Sequence, residues 1–296
     1  MDDFRQDSAL AARVQRLQIV ANRRVDDLLA GQYKSVFRGR GMEFDEVRQY
    51  QPGDDIRDID WNVTARQGEP FIKRFCEERE LTIMFLVDVS ASGMFGSSDQ
   101  SKLDTMTEMA AVLMFSALKN NDKVGMITFA DEVLEYYPPR KGKSHVLSLI
   151  RTLVTLQPVR KPTNIDAAVE YLSRVLKRKA VAFLISDLGG ELSTRSLRIC
   201  NRRHDLVALK VEDERELAIP DVGFVVLEDA ETGRQIELDA SNPEIRRLFA
   251  QNAQNRREEI TGKLKKSKID QLDITTRSDY IQSLRQFFDM REKRVR

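Results

Sequence analysis

Seven residues, Leu81 to Val87, run without a charge and then stop abruptly at Asp88-Val89-Ser90-Ala91-Ser92-Gly93. A run this short and this apolar reads as a strand buried on both faces, the situation inside a parallel sheet covered by helices. The next forty residues agree with that reading. Residues 102–118 place apolar side chains at helical spacing, and Val124 to Phe129 is again strand-like, so the segment is a β-α-β unit. A short strand at Val133 to Tyr137 comes next, then helical patterns at 144–156 and 164–178. A strand at Val181 to Ser186, a helix near 193–203 and a strand at Leu206 to Val211 complete the alternation. The expectation is an α/β, Rossmann-like fold with a mainly parallel central sheet and helices on both faces.

The flanks differ in character. Residues 8–30 carry Leu10, Val14, Leu17, Val20, Val25 and Leu28 at helical spacing, ended by Gly31, which predicts an amphipathic N-terminal helix. Residues 33–79 lack a sustained period and predict ordered loops and short strands, with Phe37, Phe44, Trp61 and Phe71 supplying burial. Beyond Pro220, GFVVLED and RQIELD flank Glu231-Thr232-Gly233 and predict a hairpin at the sheet edge. The tail from Pro243 reads as two charged helical stretches. The predicted organisation is therefore an N-terminal helix and latch over 1–79, the α/β domain with its hairpin over 80–240, and a helical segment over 241–296.

Charge and cysteine content narrow the function. Lys and Arg number 48 against 47 Asp and Glu, a net charge of +1, which argues against electrostatic binding of nucleic acid or anionic lipid. No apolar stretch approaches the roughly 20 residues that span a bilayer, so no membrane segment is expected. The chain opens on Asp2 and Asp3 rather than on a basic and then apolar leader, and a cytoplasmic location is expected. Cys76 and Cys200 form no C-x-x-C pair, which favours two reduced thiols.

Ligands of open parallel sheets bind beyond the carboxyl ends of the strands. At the end of the first buried strand stand Asp88, Ser90 and Ser92, one carboxylate and two hydroxyls at alternating positions, a donor set suited to a hard divalent cation. Thr163 precedes a helical pattern and Asp187 directly follows the strand Val181 to Ser186. Taken singly, a Thr at a helix start is usually a cap and an Asp after a strand usually a turn residue. Taken together, Asp88-x-Ser90-x-Ser92, Thr163 and Asp187 resemble the metal-ion-dependent adhesion site of von Willebrand factor A domains. The resemblance implies magnesium, or manganese in its place, held by Asp88, Ser90, Ser92 and Thr163, with Asp187 acting through water and a partner protein's carboxylate completing the coordination. Members of that family often carry Gly after the last Asp, where this chain reads Asp187-Leu188-Gly189-Gly190.

A second resemblance lies upstream. Gly39-Arg40-Gly41-Met42-Glu43-Phe44, Val47-Arg48-Gln49-Tyr50, Pro52-Gly53-Asp54-Asp55-Ile56-Arg57, Ile59-Asp60-Trp61, Ala65-Arg66 and Glu78-Arg79-Glu80 are similar to the bacterial domain-of-unknown-function family fifty-eight, over roughly residues 30–230. Many members carry N-terminal membrane helices; this chain resembles the short, soluble form. Family members are commonly encoded beside MoxR-type AAA+ ATPases. The resemblance thus implies an adaptor that helps such an ATPase assemble, remodel or load metal into client proteins. From the residues alone, Asp54, Asp55, Asp58 and Asp60 around Arg57 predict an ion-paired latch, with Arg48 or Arg66 as further partners, whereas an exposed Trp61 would mark a docking surface.

Enzyme readings rank lower. Tyr137-Pro138-Pro139-Arg140-Lys141-Gly142-Lys143-Ser144 ends like a phosphate loop, but Tyr137 stands where the first Gly is needed and two prolines remove amides. No Gly-x-Ser-x-Gly surrounds Ser90 or Ser92, and only His145 and His204 could serve as base. A haloacid-dehalogenase-like phosphatase needs a second Asp where Ser90 stands. No G-x-G-x-x-G follows a strand, so a dinucleotide is not expected, and no cofactor-binding residues are assigned. The expectation is a non-enzymatic, metal-dependent protein-binding adaptor. The alternatives are a metal-dependent hydrolase using the same site and a structural scaffold whose site stays empty.

Overall fold

The structure, a computed structural model, describes residues 43–76, 80–97 and 100–295. The predicted N-terminal helix over 8–30 lies outside them. The described residues form two compact units, one ending at Glu80 and one beginning at Leu81.

In the first unit, β1 (Glu43–Gln49) pairs antiparallel with β2 (Phe71–Cys76), and the connection holds a 3-10 turn (Ile56–Asp58) and a two-turn helix, α1 (Trp61–Gln67). The dense acidic signature turns out to be local turn chemistry. Arg48 forks onto Asp54 with contacts of 2.9 and 2.7 Å, Asp55 caps the 3-10 turn, and Asp60 caps α1 by accepting from the Asn62 and Val63 amides. Gly68, at φ 78°, ends α1 in the left-handed conformation glycine adopts freely. The expected burial of Trp61 is not found: it is the first residue of α1 and is 69% exposed.

The second unit holds a six-stranded sheet. Its strands are β3 (Thr82–Asp88), β4 (Lys123–Phe129), β5 (Val133–Arg140), β6 (Val181–Ser186), β7 (Asp205–Glu212) and, after a separate hairpin of β8 (Phe224–Glu228) and β9 (Gln235–Asp239), β10 (Asp270–Thr275). The spatial order is β10-β7-β6-β3-β4-β5, parallel throughout except for the antiparallel edge strand β5. This is the α/β, mainly parallel sheet that the sequence predicts. Two features depart from expectation. The hairpin forms its own two-stranded sheet, and the tail contributes a strand, β10, beside β7. In its sequence, DQLDIT, only Leu272 and Ile274 are apolar because an edge strand has only partial cover, so the apolar run that announces the inner strands is missing.

Helices cover both faces. On one lie α2 (Lys102–Lys119), α3 (Lys143–Thr155) and, tied to α2 by Tyr280 and Glu108, α8 (Tyr280–Val295). On the other lie α4 (Ile165–Val175), α5 (Thr194–Arg203) and α7 (Pro243–Lys266); a single-turn helix, α6 (Glu214–Leu217), follows β7. Strand alternation sends Met84 and Leu86 of β3 into the core beneath α4 and α5, with Ala182, Leu184, Val169 and Leu197, while Ile83, Phe85 and Val87 face α2. On that second face the rings of Phe85 and Phe183 stack at 5.5 Å across β3 and β6. Cys200 is a buried free thiol pushed up to about 11 by burial, so it packs rather than reacts. Among the described residues, no helix is long and apolar enough to cross a membrane.

Phe85→Ala should cost about 3–5 kcal/mol, whereas Phe224→Ala on the exposed hairpin face should stay within about 0.5 kcal/mol. Urea denaturation distinguishes them, and equal losses would contradict this account of the core. A second check uses pH. Burial alone would raise the carboxyl of Asp213, just after β7, but hydrogen bonds from the Ser97 and Arg215 amides and the Thr276 hydroxyl hold it at about 2. Its contribution is therefore complete above the ordinary carboxylate value of 3.8 and is lost as pH falls from there toward 2. Asp213→Asn should flatten that part of the acid unfolding curve.

Candidate functional site

The chain leaves β3 for β4 on one side, and β6 later pairs with the other side of β3. This reversal leaves a crevice at the carboxyl ends of β3 and β6. Asp88 is the last residue of β3. Its Oδ1 accepts from the Ser90 amide at 3.0 Å, a turn that folds the chain back so that Ser90 and Ser92 return their hydroxyls to the same point. Thr163 is not the cap of α4, because Asn164 fills that role by accepting from the Ala167 amide at 3.1 Å. The Thr163 hydroxyl is thus available to the crevice. Asp187 follows β6 and accepts from the Gly189 amide at 3.0 Å.

Leu188, where the resemblance expects glycine, takes the left-handed conformation (φ 58°) and donates its amide to Ser186 Oγ at 2.9 Å. Gly190 passes so close to Thr163 that an added Cβ would stand 1.9 Å from the Thr163 carbonyl oxygen, so this glycine permits the β6–α5 loop to lie against the site.

The structure brings the predicted residues together. Ser90 Oγ lies 2.9 Å from both Ser92 Oγ and Thr163 Oγ1, and Thr163 Oγ1 lies 3.2 Å from Asp88 Oδ2. Asp187 lies beside Ser92, whose side chain helps to lower its carboxyl. Three participants escape a reading of the sequence. Ser186, ending β6, donates to Asp88 Oδ2 at 2.5 Å. Lys102, 1% exposed, places its Nζ 2.7 Å from Asp187 Oδ2 and 2.6 Å from Glu216 Oε1. Glu231, from the hairpin turn, reaches to 3.3 Å from Thr163 Oγ1. Only Lys102 leaves a signal: a lysine in the first turn of a helix opposes the helix dipole and needs a local anion.

The two aspartates sit in different electrostatic environments. Burial would raise Asp187, but the Lys102 ammonium outweighs it and holds the carboxyl low. Among the described residues, no cation is paired with Asp88. Burial first, then the charge of Asp187, push it up to about 6 against the hydrogen bonds of Ser186 and Ser90. Among the described residues, no three His, Cys, Asp or Glu side chains gather as a metal cage. What converges instead is one under-compensated carboxylate and three hydroxyls, an all-oxygen set compatible with a small hard cation that keeps part of its water.

Residues 46–259 match the family model described as "Protein of unknown function DUF58". An uncharacterised protein of Mycobacterium bovis is 32% identical over 292 residues, covering 97% of this chain and 91% of its own. Among solved structures, the conserved hypothetical protein BatB from Bacteroides thetaiotaomicron matches with a TM-score of 0.48 at 18% identity, covering 72% of this chain and 99% of that one. Proximal thread matrix protein 1 from the mussel byssus, with a zinc-occupied metal-ion-dependent adhesion motif, matches with a TM-score of 0.35 at 14% identity, covering 46% of this chain and 39% of that one.

Lys102→Met leaves Asp187 buried without its cation and should destabilise the fold by about 3–5 kcal/mol. Adding Asp187→Asn should restore part of that loss. Denaturant unfolding of the single and double variants measures the coupling, and strictly additive losses would refute the pairing as a source of stability.

Proposed function

The chain belongs to the domain-of-unknown-function family fifty-eight, and from that premise we propose that it is a non-enzymatic, metal-dependent protein-binding adaptor. The metal site consists of Asp88, Ser90, Ser92 and Thr163, with Asp187 behind Ser92. The observation that carries the reading is a chain of three hydroxyls, Ser92 to Ser90 to Thr163, that reaches Asp88 through Thr163; Asp88 is a buried carboxylate with no side-chain cation among the described residues, beside an Asp187 that has one. A bound magnesium or manganese ion would supply the missing positive charge and an open position for a partner protein's Asp or Glu. The chain's own residues prepare that position. Ser186 fixes the Asp88 carboxylate, the turn after β3 aims Ser90 and Ser92, and Lys102 anchors Asp187 at the rear of the crevice.

The resemblance supports a MoxR-type AAA+ ATPase as partner, in assembly, remodelling or metal loading of client proteins, and with it a cytoplasmic setting. The hydrolase reading has less support. His145 bonds the Val124 carbonyl at 2.9 Å near the amino end of β4, and His204 immediately precedes β7, so both histidines lie at the sheet end opposite Asp88. The scaffold reading leaves the charge on Asp88 without a purpose.

Isothermal titration with Mg²⁺ and Mn²⁺ should give saturable binding to the wild type and none to Asp88→Ala, with the variant still folded. Pull-down of an AAA+ ATPase of this type should follow the same metal dependence. Undiminished metal affinity in Asp88→Ala would sink the site, and ATPase capture indifferent to metal would sink the adaptor mechanism.

A further inference from the structure

We propose that Glu231 is an intramolecular ligand of this site: the hairpin's own carboxylate completes the metal coordination in the unpartnered chain, and a partner's carboxylate must displace it. This inference rests on the metal-site reading of Asp88, Ser90, Ser92 and Thr163.

The hairpin turn is built to present Glu231. Asp229 Oδ1 accepts from the Glu231 amide at 2.9 Å, and Asp229 Oδ2 accepts from the Thr232 hydroxyl at 2.6 Å. The Asp229 and Gly233 amides close the turn onto the Arg234 and Asp229 carbonyls at 2.9 and 2.7 Å, and Gly233 takes φ 70°. Asp229, Thr232, Gly233 and Arg234 are exposed, yet Glu231 between them is half-buried. Its carboxylate stands 3.3 Å from the Thr163 hydroxyl.

Charge makes this placement unusual. Among the described residues, no lysine or arginine forms an ion pair with Glu231, and the nearest ionised groups of the site are acidic. Thr163 Oγ1 has three acceptors within reach, Asp88 Oδ2 at 3.2 Å, Ser90 Oγ at 2.9 Å and Glu231 Oε1 at 3.3 Å, but only one proton to give. Asp88 and Glu231 thus approach the same hydroxyl from two elements, and one hydrogen bond cannot serve both. Lys102 is committed to Asp187 and Glu216. A divalent cation among these oxygens resolves the conflict and turns mutual repulsion into shared coordination.

Metal affinity of the isolated full chain tests the idea, read as free Mn²⁺ by electron paramagnetic resonance. Glu231→Gln keeps the shape and removes the anionic ligand, and it should weaken Mn²⁺ binding about tenfold. Glu228→Gln removes the same unit of charge from an exposed position of the same hairpin and should leave affinity within about twofold. Trypsin cleavage after Arg234 gives a second readout: Mn²⁺ should slow it in the wild type and in Glu228→Gln but not in Glu231→Gln. If the wild type binds Mn²⁺, Asp88→Ala does not, and Glu231→Gln binds as well as the wild type, the internal-ligand proposal is wrong while the site stands. If the wild type itself does not bind, the site reading falls and takes this proposal with it.

Discussion

A carboxylate at the end of a wholly buried strand governs this molecule. β3 can be apolar from Ile83 to Val87 because helices cover both faces of the sheet, and it must stop at Asp88 because an ionised group cannot enter that core unpaired. Neighbouring elements then converge to satisfy the group: Ser186 from β6, the Ser90 amide from the turn after β3, and Thr163 from the loop ahead of α4. The sheet order makes this possible, since β3 and β6 are adjacent in space though nearly a hundred residues apart in sequence. The architecture and the candidate site are therefore one solution to a single problem of burying charge.

In the proposed reading, asymmetry between the two aspartates gives that solution its function. Asp187 has Lys102, itself shared with Glu216, and its charge is structural. Asp88 has only hydroxyls and an amide, so it retains an unsatisfied demand for positive charge that solvent cannot meet. A protein selected for stability alone would have placed a second lysine there or removed the acid. Keeping the demand makes cation binding, and binding of another carboxylate through the cation, the natural outlet. In the proposal above, Glu231 meets that outlet from within the chain.

Much of this is legible in the sequence wherever burial writes a period. The strand from Val181 to Ser186 and the helix starting near Thr194 can be placed within a residue, because both carry full apolar faces. Asp88, Ser90, Ser92, Thr163 and Asp187 stand out because each lies at a strand end or helix start, where chemistry is expected. Residues acting over long sequence separations do not. Lys102 meets Asp187 and Glu216 across 85 and 114 positions, and no local pattern encodes such contacts. β10 is hidden because an edge strand needs few apolar side chains, here Leu272 and Ile274. Trp61 misleads because an aromatic residue suggests burial, whereas its position at the start of a short capped helix leaves it outside.

The most direct test is a crystal structure grown in Mn²⁺ with data collected at the manganese absorption edge. A single anomalous peak is expected among Asp88, Ser90, Ser92 and Thr163, within coordination distance of their oxygens and in front of Asp187. Saturating manganese with no peak at this point, or a peak bound elsewhere while these hydroxyls keep their present hydrogen bonds, would contradict it.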